Sequence, residues 1–532
     1  MKQTKKIQIG GIRVQYREGG RDFDAEAIHK AASRIYKSTG VKPRSLKISK
    51  KSIDARRDIS FVYTVYAEID GGRWNDPDIK PCSEAELNLS RGTTPMNHRP
   101  VIVGFGPAGM FAGLLLAENG YAPLILERGG DVDERVAAVE KFTREGSLDV
   151  NTNIQFGAGG AGTFSDGKLT TRINDPLIAY VLKILHELGA PEDILYKAKP
   201  HIGTDILREV VKNADRRIRE LGGEIRYHAA AKNIASSSVT ADGEKIPFDA
   251  LILATGHSAR DTYAELLSAG FLVQPKAFSV GVRAEHLQSD IDKALFGIHA
   301  GDEALGRGEY QLSHREGERG CYTFCMCPGG TVVPSASEEG GVVTNGMSTR
   351  ARDGRNANAA VCVSVLPSDY GSDPARAIEF QRNLERAAFA AGGRNYYAPM
   401  QTVGDLLNGR TGTEPSKIIP TYRDGLVTPA DLNQIFPPFV TGMLKTGLSA
   451  FGRKIRGYAD DCVPLTGVET RTSAPVRIVR DENCQAVGHP GIYPCGEGAG
   501  YAGGIVSAAV DGIRVASRII SEFAPGENTR IG

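Results

Sequence analysis

Between Val101 and Glu127 the chain runs Val-Ile-Val-Gly104-Phe-Gly106-Pro107-Ala108-Gly109, continues through an apolar stretch, and ends in Leu124-Ile-Leu-Glu127. A short buried strand, a Gly-x-Gly-x-x-Gly turn, an apolar helix, a second strand and a terminal acid follow one another. This succession is a dinucleotide-binding crossover, and it commits this part of the chain to a doubly wound α/β sheet. Gly104 allows the tight turn, Gly106 has no side chain to hold off a pyrophosphate, and Gly109 lets the helix lie close to the strand. The helix start presents free N–H groups and a positive dipole end to phosphate. Glu127 falls 18 residues after Gly109, near the roughly 20 expected of an acid that accepts a ribose 2′-hydroxyl.

Three further segments carry turn chemistry of the same kind. Ala254-Thr255-Gly256 ends a buried strand that begins at Asp249, and open α/β sheets bind ligands at such strand ends. In Tyr493-Pro-Cys-Gly496-Glu497-Gly-Ala-Gly-Tyr-Ala-Gly503-Gly504-Ile505, an acid after a strand suits a ribityl hydroxyl. Its glycines let backbone N–H groups approach a flat ring, and the helix that follows aims its positive end there, which favours an anionic reduced flavin. The loop Gln155 to Lys168 contains Gly159, Gly160, Thr163, Ser165, Asp166 and Gly167. Its hydroxyls and backbone suit a pyrophosphate or the edge of an isoalloxazine. An ordinary glycine turn is the competing reading of the segments at 254–256 and 493–505, and a mobile surface loop that of residues 155–168.

Cys321, Cys325 and Cys327 form a small cluster without a second Cys/His group at zinc spacing, so no metal site is expected. On a regular strand residues 325 and 327 share a face. Packed thiols are the simpler reading, and an electron-shuttling pair the alternative. His201 and His257 flank the loops but are read as structural.

At 532 residues two or three domains are expected. Residues 8–70 read as a small α+β module: a strand from Ile9 to Tyr16, a helix capped by Asp24 with Ile28, Ala31, Ala32 and Ile35 on one face, then strands Ser45–Ile53 and Ile59–Ile69. A proline-containing linker runs to about Pro100. Strand candidates around Ser236–Thr240 and Ile246–Phe248 suggest a small β-meander, and the chain from about 258 changes character. The expected domains are 1–97, a small basic α+β domain and linker; 98–258, the first part of a nucleotide domain; 259–480, an inserted cap; and 481–532, the return of the nucleotide domain.

Residues 1–97 hold 19 Lys/Arg against 12 Asp/Glu, a net of +7, which leaves −6 for the remainder. A solvated basic face explains this, with docking to nucleic acid as the rival. No apolar run approaches the ~18 residues of a membrane span. Residues 1–7 lack a secretory apolar region, and the eight cysteines read as reduced thiols, so a cytoplasmic location is expected.

Together the motifs resemble a bacterial family of FAD-dependent dehydrogenases whose physiological reaction is poorly defined. The resemblance covers nearly the whole chain and rests on Gly104-Phe-Gly-Pro-Ala-Gly-Met-Phe-Ala-Gly113, Gly159 to Lys168, His201-Ile-Gly-Thr-Asp205 and Ala254 to Arg260. It continues through Phe324-Cys-Met-Cys-Pro-Gly-Gly330, Thr470-Arg-Thr-Ser473 and Gly496 to Gly504. More distantly the chain is similar to the glutathione-reductase-like superfamily, which includes tRNA-modifying flavoproteins. The resemblance implies FAD at Gly104, Gly106, Gly109, Glu127, the 159–168 loop, Thr255, Gly256, Glu497 and Gly504, and no settled substrate. The neighbouring Pro107, Ala108, Arg128, Ala254, Gly496, Gly503 and Ile505 complete the expected cofactor site.

The expected fold is thus α/β, a Rossmann-like FAD-binding fold with a doubly wound sheet and β-meander, an inserted α+β cap and a small N-terminal α+β domain. The expected function is an FAD-dependent oxidoreductase that passes a hydride between flavin and an unidentified small-molecule substrate or redox partner. Lys168, Cys327 and Arg471 are the candidates for facing the flavin, the two cations to hold an anionic substrate. No second Gly-x-Gly-x-x-Gly unit follows a strand, so NAD(P)H enters only as an electron donor held without that fingerprint. The alternatives are an RNA-associated flavoprotein docked through residues 1–97 and a non-catalytic FAD-binding redox sensor.

Overall fold

The computed structural model describes residues 4–56, 58–82 and 87–526. At its centre is a five-stranded, wholly parallel sheet in the order Ile492–Pro494, Leu251–Leu253, Val101–Val103, Leu124–Leu126, Glu224–Arg226. The strands are short, and all but the edge strand Glu224–Arg226 are apolar and buried, as expected of a sheet covered on both faces. The helix after the fingerprint turn, Pro107–Glu118, is buried from Ala108 to Ala117. It packs against the C-terminal helix Ile505–Glu522 so closely that a Cβ on Gly512 would stand 2.2 Å from the carbonyl oxygen of Ala108. The expected β-meander is smaller than the sequence suggests. It is a hairpin of Ser238–Ala241 with Glu244–Pro247, extended only by a bridge from Lys232 to Thr240.

Between Leu253 and Ile492 the chain builds a second layered body. Its seven-stranded sheet has the order Ser313–Glu316, Arg319–Cys327, Asn356–Val365, Phe278–Leu287, Pro464–Glu469, Ala398–Thr402, Val427–Pro429. Helices Pro374–Ala391 and Pro438–Gly452 complete its apolar core. The strands Ala398–Thr402 and Pro464–Glu469 were not among the sequence expectations. Both are almost entirely buried, so neither shows the alternation of a half-exposed strand.

The N-terminal module is a four-stranded antiparallel sheet, ordered Ser45–Asp54, Ser60–Asp70, Thr4–Gln15, Ile79–Pro81, with helix Phe23–Thr39 on one face. Its fourth strand lies in the stretch expected to be linker. Helix burial runs through Phe23, Ala27, Ala31 and Ile35; of the expected face Ala31 and Ile35 are buried, and Ile28 and Ala32 are half-buried. The cap position is Asp22, without a side-chain cap bond, and not Asp24. The Asp24 carboxylate instead accepts hydrogen bonds from Tyr63 Oη at 2.7 Å and Lys51 Nζ at 2.6 Å. The module touches both larger bodies. Lys51 exchanges backbone bonds with Tyr196 and Ala198, and Leu305 enters the module's core. Much of its positive charge is answered within the module, where Arg13, Arg17, Arg34, Arg44 and Arg56 each pair with a carboxylate.

Among the described residues, no helix is long and apolar enough to cross a membrane, and no group of three or more His, Cys, Asp and Glu is placed to hold a metal ion.

Candidate functional site

The carboxyl ends of the parallel strands open onto a cleft of about 840 Å³ that faces the seven-stranded sheet, a volume typical of small-molecule and cofactor sites. Gly104, Gly106, Pro107, Ala108, Glu127 and Arg128 line it from the fingerprint unit. Gly160, Ser165, Asp166 and Lys168 line it from the glycine-rich loop, and Ala254, Thr255 and Gly256 from the middle strand end. Glu497, Gly503, Gly504 and Ile505 complete that side. The four segments singled out in sequence, spread over about four hundred residues, thus converge on one cleft.

Five of the expected cofactor residues shape it from behind. A Cβ on Gly109 would stand 1.9 Å from the Gly104 carbonyl oxygen, and one on Gly159 would stand 2.1 Å from Thr163 Oγ1. Thr163 Oγ1 itself donates to the Ala158 carbonyl at 3.2 Å. Gly167 (φ +66°) lies against the backbone of Gly203. Gly496 donates its N–H to Asp511 Oδ2 at 2.7 Å. None of these five lies on the cleft wall, since each is spent on close packing or turn geometry.

Three features fit the cleft to a dinucleotide. First, the space beside Gly106 is open: an added Cβ would find nothing nearer than Gly160 Cα at 3.8 Å, and at Gly503 and Gly504 it would find nothing within 4 Å. Side chains longer than alanine would fill that space. Second, two helices, Pro107–Glu118 and Ile505–Glu522, begin at the cleft with glycine at the cap position and no side-chain cap, so their first N–H groups lack an intrahelical acceptor. Third, the buried Glu127 carboxylate accepts the N–H groups of Phe105 (2.8 Å), Gly129 (3.0 Å) and Gly157 (2.9 Å). A carboxylate offers about four acceptor sites, so the bonding leaves capacity on Oε2 for one hydroxyl.

Glu497 lies at the other end of the cleft. Among the described residues its carboxyl has no hydrogen-bond partner; His257 Nε2 is 3.9 Å away. Burial raises Glu497 to about 7, and the Lys276 charge opposes the rise. Burial likewise pushes His257 down to about 3, assisted by Arg471 and Arg260, so the imidazole is neutral. Lys276, which sequence reasoning did not single out, also lines the cleft, and burial lowers its pKa.

The glycine-rich loop is held by a residue equally invisible in sequence. Arg135, on helix Val132–Glu145, is fully buried. Its guanidinium donates to the carbonyls of Asn153, Ile154, Ala158 and Gly160 and lies 4.8 Å from the Phe164 ring. Burial pulls its pKa down to about 9. At the far end of the loop Asp166 accepts Arg352 Nε at 2.9 Å and Ser348 Oγ, and Lys168 Nζ donates to the Met326 carbonyl. The Asp166 and Lys168 side chains therefore bind the loop to the cap.

The two other cap-side candidates are placed differently, and that for Cys327 needs correction. Arg471 lines the cleft, yet its guanidinium is committed: Nε and Nη2 donate to Glu385 at 3.2 and 3.1 Å, and Nη1 to Ser337 Oγ. Glu385 also takes a two-pronged pair from Arg260 at 2.7 and 2.8 Å. Arg471 is thus part of a buried Arg–Glu–Arg cluster, with each of its three guanidinium nitrogens making one bond there. Cys327 is fully buried and off the cleft wall, whereas Cys325 lines it. The strand Arg319–Cys327 gains one residue between Phe324 and Cys327 relative to its partner, and Cys325 has φ +45°. This bulge breaks the two-residue alternation, so Cys325 reaches the cleft wall while Cys327 sits behind it with its thiol directed at the Cys325 carbonyl.

Residues 277–472 match the family model described as FAD-dependent protein, C-terminal domain-like. A protein of Clostridium beijerinckii, described only as uncharacterized, is 47% identical over 494 residues, which is 90% of this chain and 92% of that one. Among solved structures, glycine oxidase from Bacillus cereus aligns at 11% identity and a TM-score of 0.35, covering 81% of this chain and 99% of its own. The flavin-dependent brominase Bmp2 aligns at 12% identity and a TM-score of 0.36, covering 80% of this chain and 79% of its own. These structural likenesses are loose, and the fold assignment rests on the strand order and the fingerprint turn.

Proposed function

This chain belongs to the family of the Clostridium beijerinckii protein, and from that membership and its cleft we propose that it is an FAD-dependent oxidoreductase acting on a small molecule or a redox partner. The observation that carries the reading is the convergence of two uncapped helix starts, the open Gly106 position and the Glu127 carboxylate on one wall of a single cleft. When bound, FAD supplies reversible two-electron chemistry, giving or taking a hydride equivalent.

The chain's own residues divide the work by position. The N–H groups after Gly106 hold the pyrophosphate, and Glu127 accepts a ribose hydroxyl through its remaining lone pair. Glu497 faces the ribityl chain, and its carboxyl either donates or accepts according to pH. The helix start at Gly504 directs partial positive charge at the ring and favours its anionic reduced form. Lys276 and Lys168 add cationic character to the cleft, which would suit an anionic substrate. NADH or NADPH is the reductant to test first, held without a Gly-x-Gly-x-x-Gly turn of its own.

The test is the visible spectrum of the natively purified protein, FAD release on denaturation, and anaerobic addition of NADH and then NADPH. A Gly106→Leu variant supplies the control. The backbone there has no positive φ and room for a Cβ, so the variant should fold with at most about 1 kcal/mol lost at the helix cap. It should retain less than a tenth of the flavin. Full FAD occupancy in Gly106→Leu, or a parent protein that neither carries nor takes up FAD, overturns the assignment. Flavin that no nicotinamide or metabolite reduces would favour a redox sensor over an enzyme.

A further inference from the structure

The flavin reading leaves one cluster unused. Cys325 sits on the cleft wall at a bulge in a left-handed conformation unusual for a residue with a side chain. Two cations hold the backbone around it: Arg283 Nη1 donates to the Cys325 carbonyl at 2.9 Å, and Lys168 Nζ donates to the carbonyl of Met326. Arg283 is fully buried and is itself fixed by a two-pronged pair with Glu469 at 2.8 and 2.9 Å and by Asn345 and Asn358. Behind the bulge, Cys327 directs its thiol at the Cys325 carbonyl, 3.3 Å away.

The charges near the pair are the cations Arg283 and Lys168 and the carboxylates Glu469 and Asp166. The Cys327 thiol, hydrogen-bonding toward it, draws Cys325 below the ordinary thiol range; burial opposes this, and Arg283 and Lys168 assist. Cys327 is driven the other way by its neighbour and by burial. The two sulfurs are therefore unequal: one is accessible and anionic in character, the other enclosed and protonated.

We propose that Cys325 and Cys327 form a redox-active dithiol, with Cys325 attacking and Cys327 resolving, and that the substrate class is a small disulfide. The Cys325 thiolate attacks one sulfur of the substrate, the substrate S–S bond breaks, one substrate thiolate leaves, and a mixed disulfide forms on Cys325. The Cys327 sulfur then attacks the Cys325 sulfur, its proton passes to a departing thiolate, and the second substrate thiolate leaves. One substrate disulfide is reduced by two electrons, and the cysteine pair is oxidised to a disulfide. Return to the dithiol takes two electrons and two protons, for which a reduced flavin is the chemical class of donor. The inference rests on the proposed function for turnover but not for the exchange itself.

The experiment uses the full-length protein with the other partly exposed cysteines, Cys82, Cys462 and Cys484, changed to serine, and 5,5′-dithiobis(2-nitrobenzoic acid) as the probe disulfide, without air. The expected result is rapid release of two thionitrobenzoates per chain with no retained adduct, and a peptide map that joins residues 325 and 327. Cys327→Ser should release one and keep the adduct on Cys325. Cys325→Ser should slow release at least tenfold. Retention of flavin colour in each variant guards against misfolding, and mapping of the unmutated protein after oxidised glutathione gives an answer that needs no variant. A stable adduct on Cys325 with Cys327 intact, or release unchanged in Cys325→Ser, overturns the proposal. Exchange without bound flavin would defeat the proposed function alone, and bound flavin without exchange would defeat this inference alone.

Discussion

Glu497 carries a charge that its surroundings resist. Its pKa rises from 4.5 to about 7 through burial, so the ionised form is penalised in the fold. The penalty is absent below about pH 4.5, grows between there and pH 7, and is complete above that. In FAD-stripped protein, Glu497→Gln should match the parent in denaturant unfolding at pH 4.5 and exceed it by roughly 2 kcal/mol at pH 8, after allowance for the carboxyl's partial exposure. An equal difference at both pH values would contradict that environment. Glu497 was legible in sequence because an acid between a strand and a glycine run has few structural uses. Cys325 was not, because residue type alone cannot show a bulge, and the regular alternation of a strand selects the wrong member of the pair.

Helix Val132–Glu145 shows how a routine element carries a site. Its start is well specified: Asp131 accepts the N–H groups of Asp133 and Glu134, and Glu134 reaches back to the Asp131 N–H. Arg135 then falls on the buried side, beneath the glycine-rich loop. Arg135→Met should take the printed donors from the Asn153 and Ile154 carbonyls and one of two from those of Ala158 and Gly160, lower stability by on the order of 3 kcal/mol, and weaken FAD binding about tenfold or more, measured by thermal unfolding and by flavin titration. Unchanged flavin affinity would separate the loop from the cofactor. The fingerprint crossover and the C-terminal helix could be read from sequence because they combine apolar strands, glycine turns and long buried helices. The strands Ala398–Thr402 and Pro464–Glu469 could not, since full burial erases their alternation. The fourth strand of the N-terminal module, Ile79–Pro81, was hidden by its proline, which reads as linker although an edge strand tolerates it.

Across the two large bodies the firmest polar tie is the cluster of Arg260, Glu338, Glu385 and Arg471. Arg260 stands just after the strand end at Ala254, and the other three belong to the cap. Removing the shared carboxylate leaves the buried Arg471 without a carboxylate and Arg260 with Glu338 alone, so Glu385→Ala should cost about 3–5 kcal/mol and loosen the cleft. Thermal unfolding together with protease susceptibility between the bodies would check this, and a variant as stable as the parent would show that the bodies hold together without the cluster. Chain order adds another constraint. The edge strand Ile492–Pro494 pairs with Leu251–Leu253, yet the entire cap is synthesised between them. At roughly 5–20 residues per second, its partner waits on the order of 10 to 50 s on the ribosome before the strand that completes the sheet is made. The helix that closes the cleft from the other side emerges later still. Cofactor capture is therefore a late step relative to synthesis of the first three parallel strands, and the exposed edge of Leu251–Leu253 must be kept from misassembly until Ile492–Pro494 has been made.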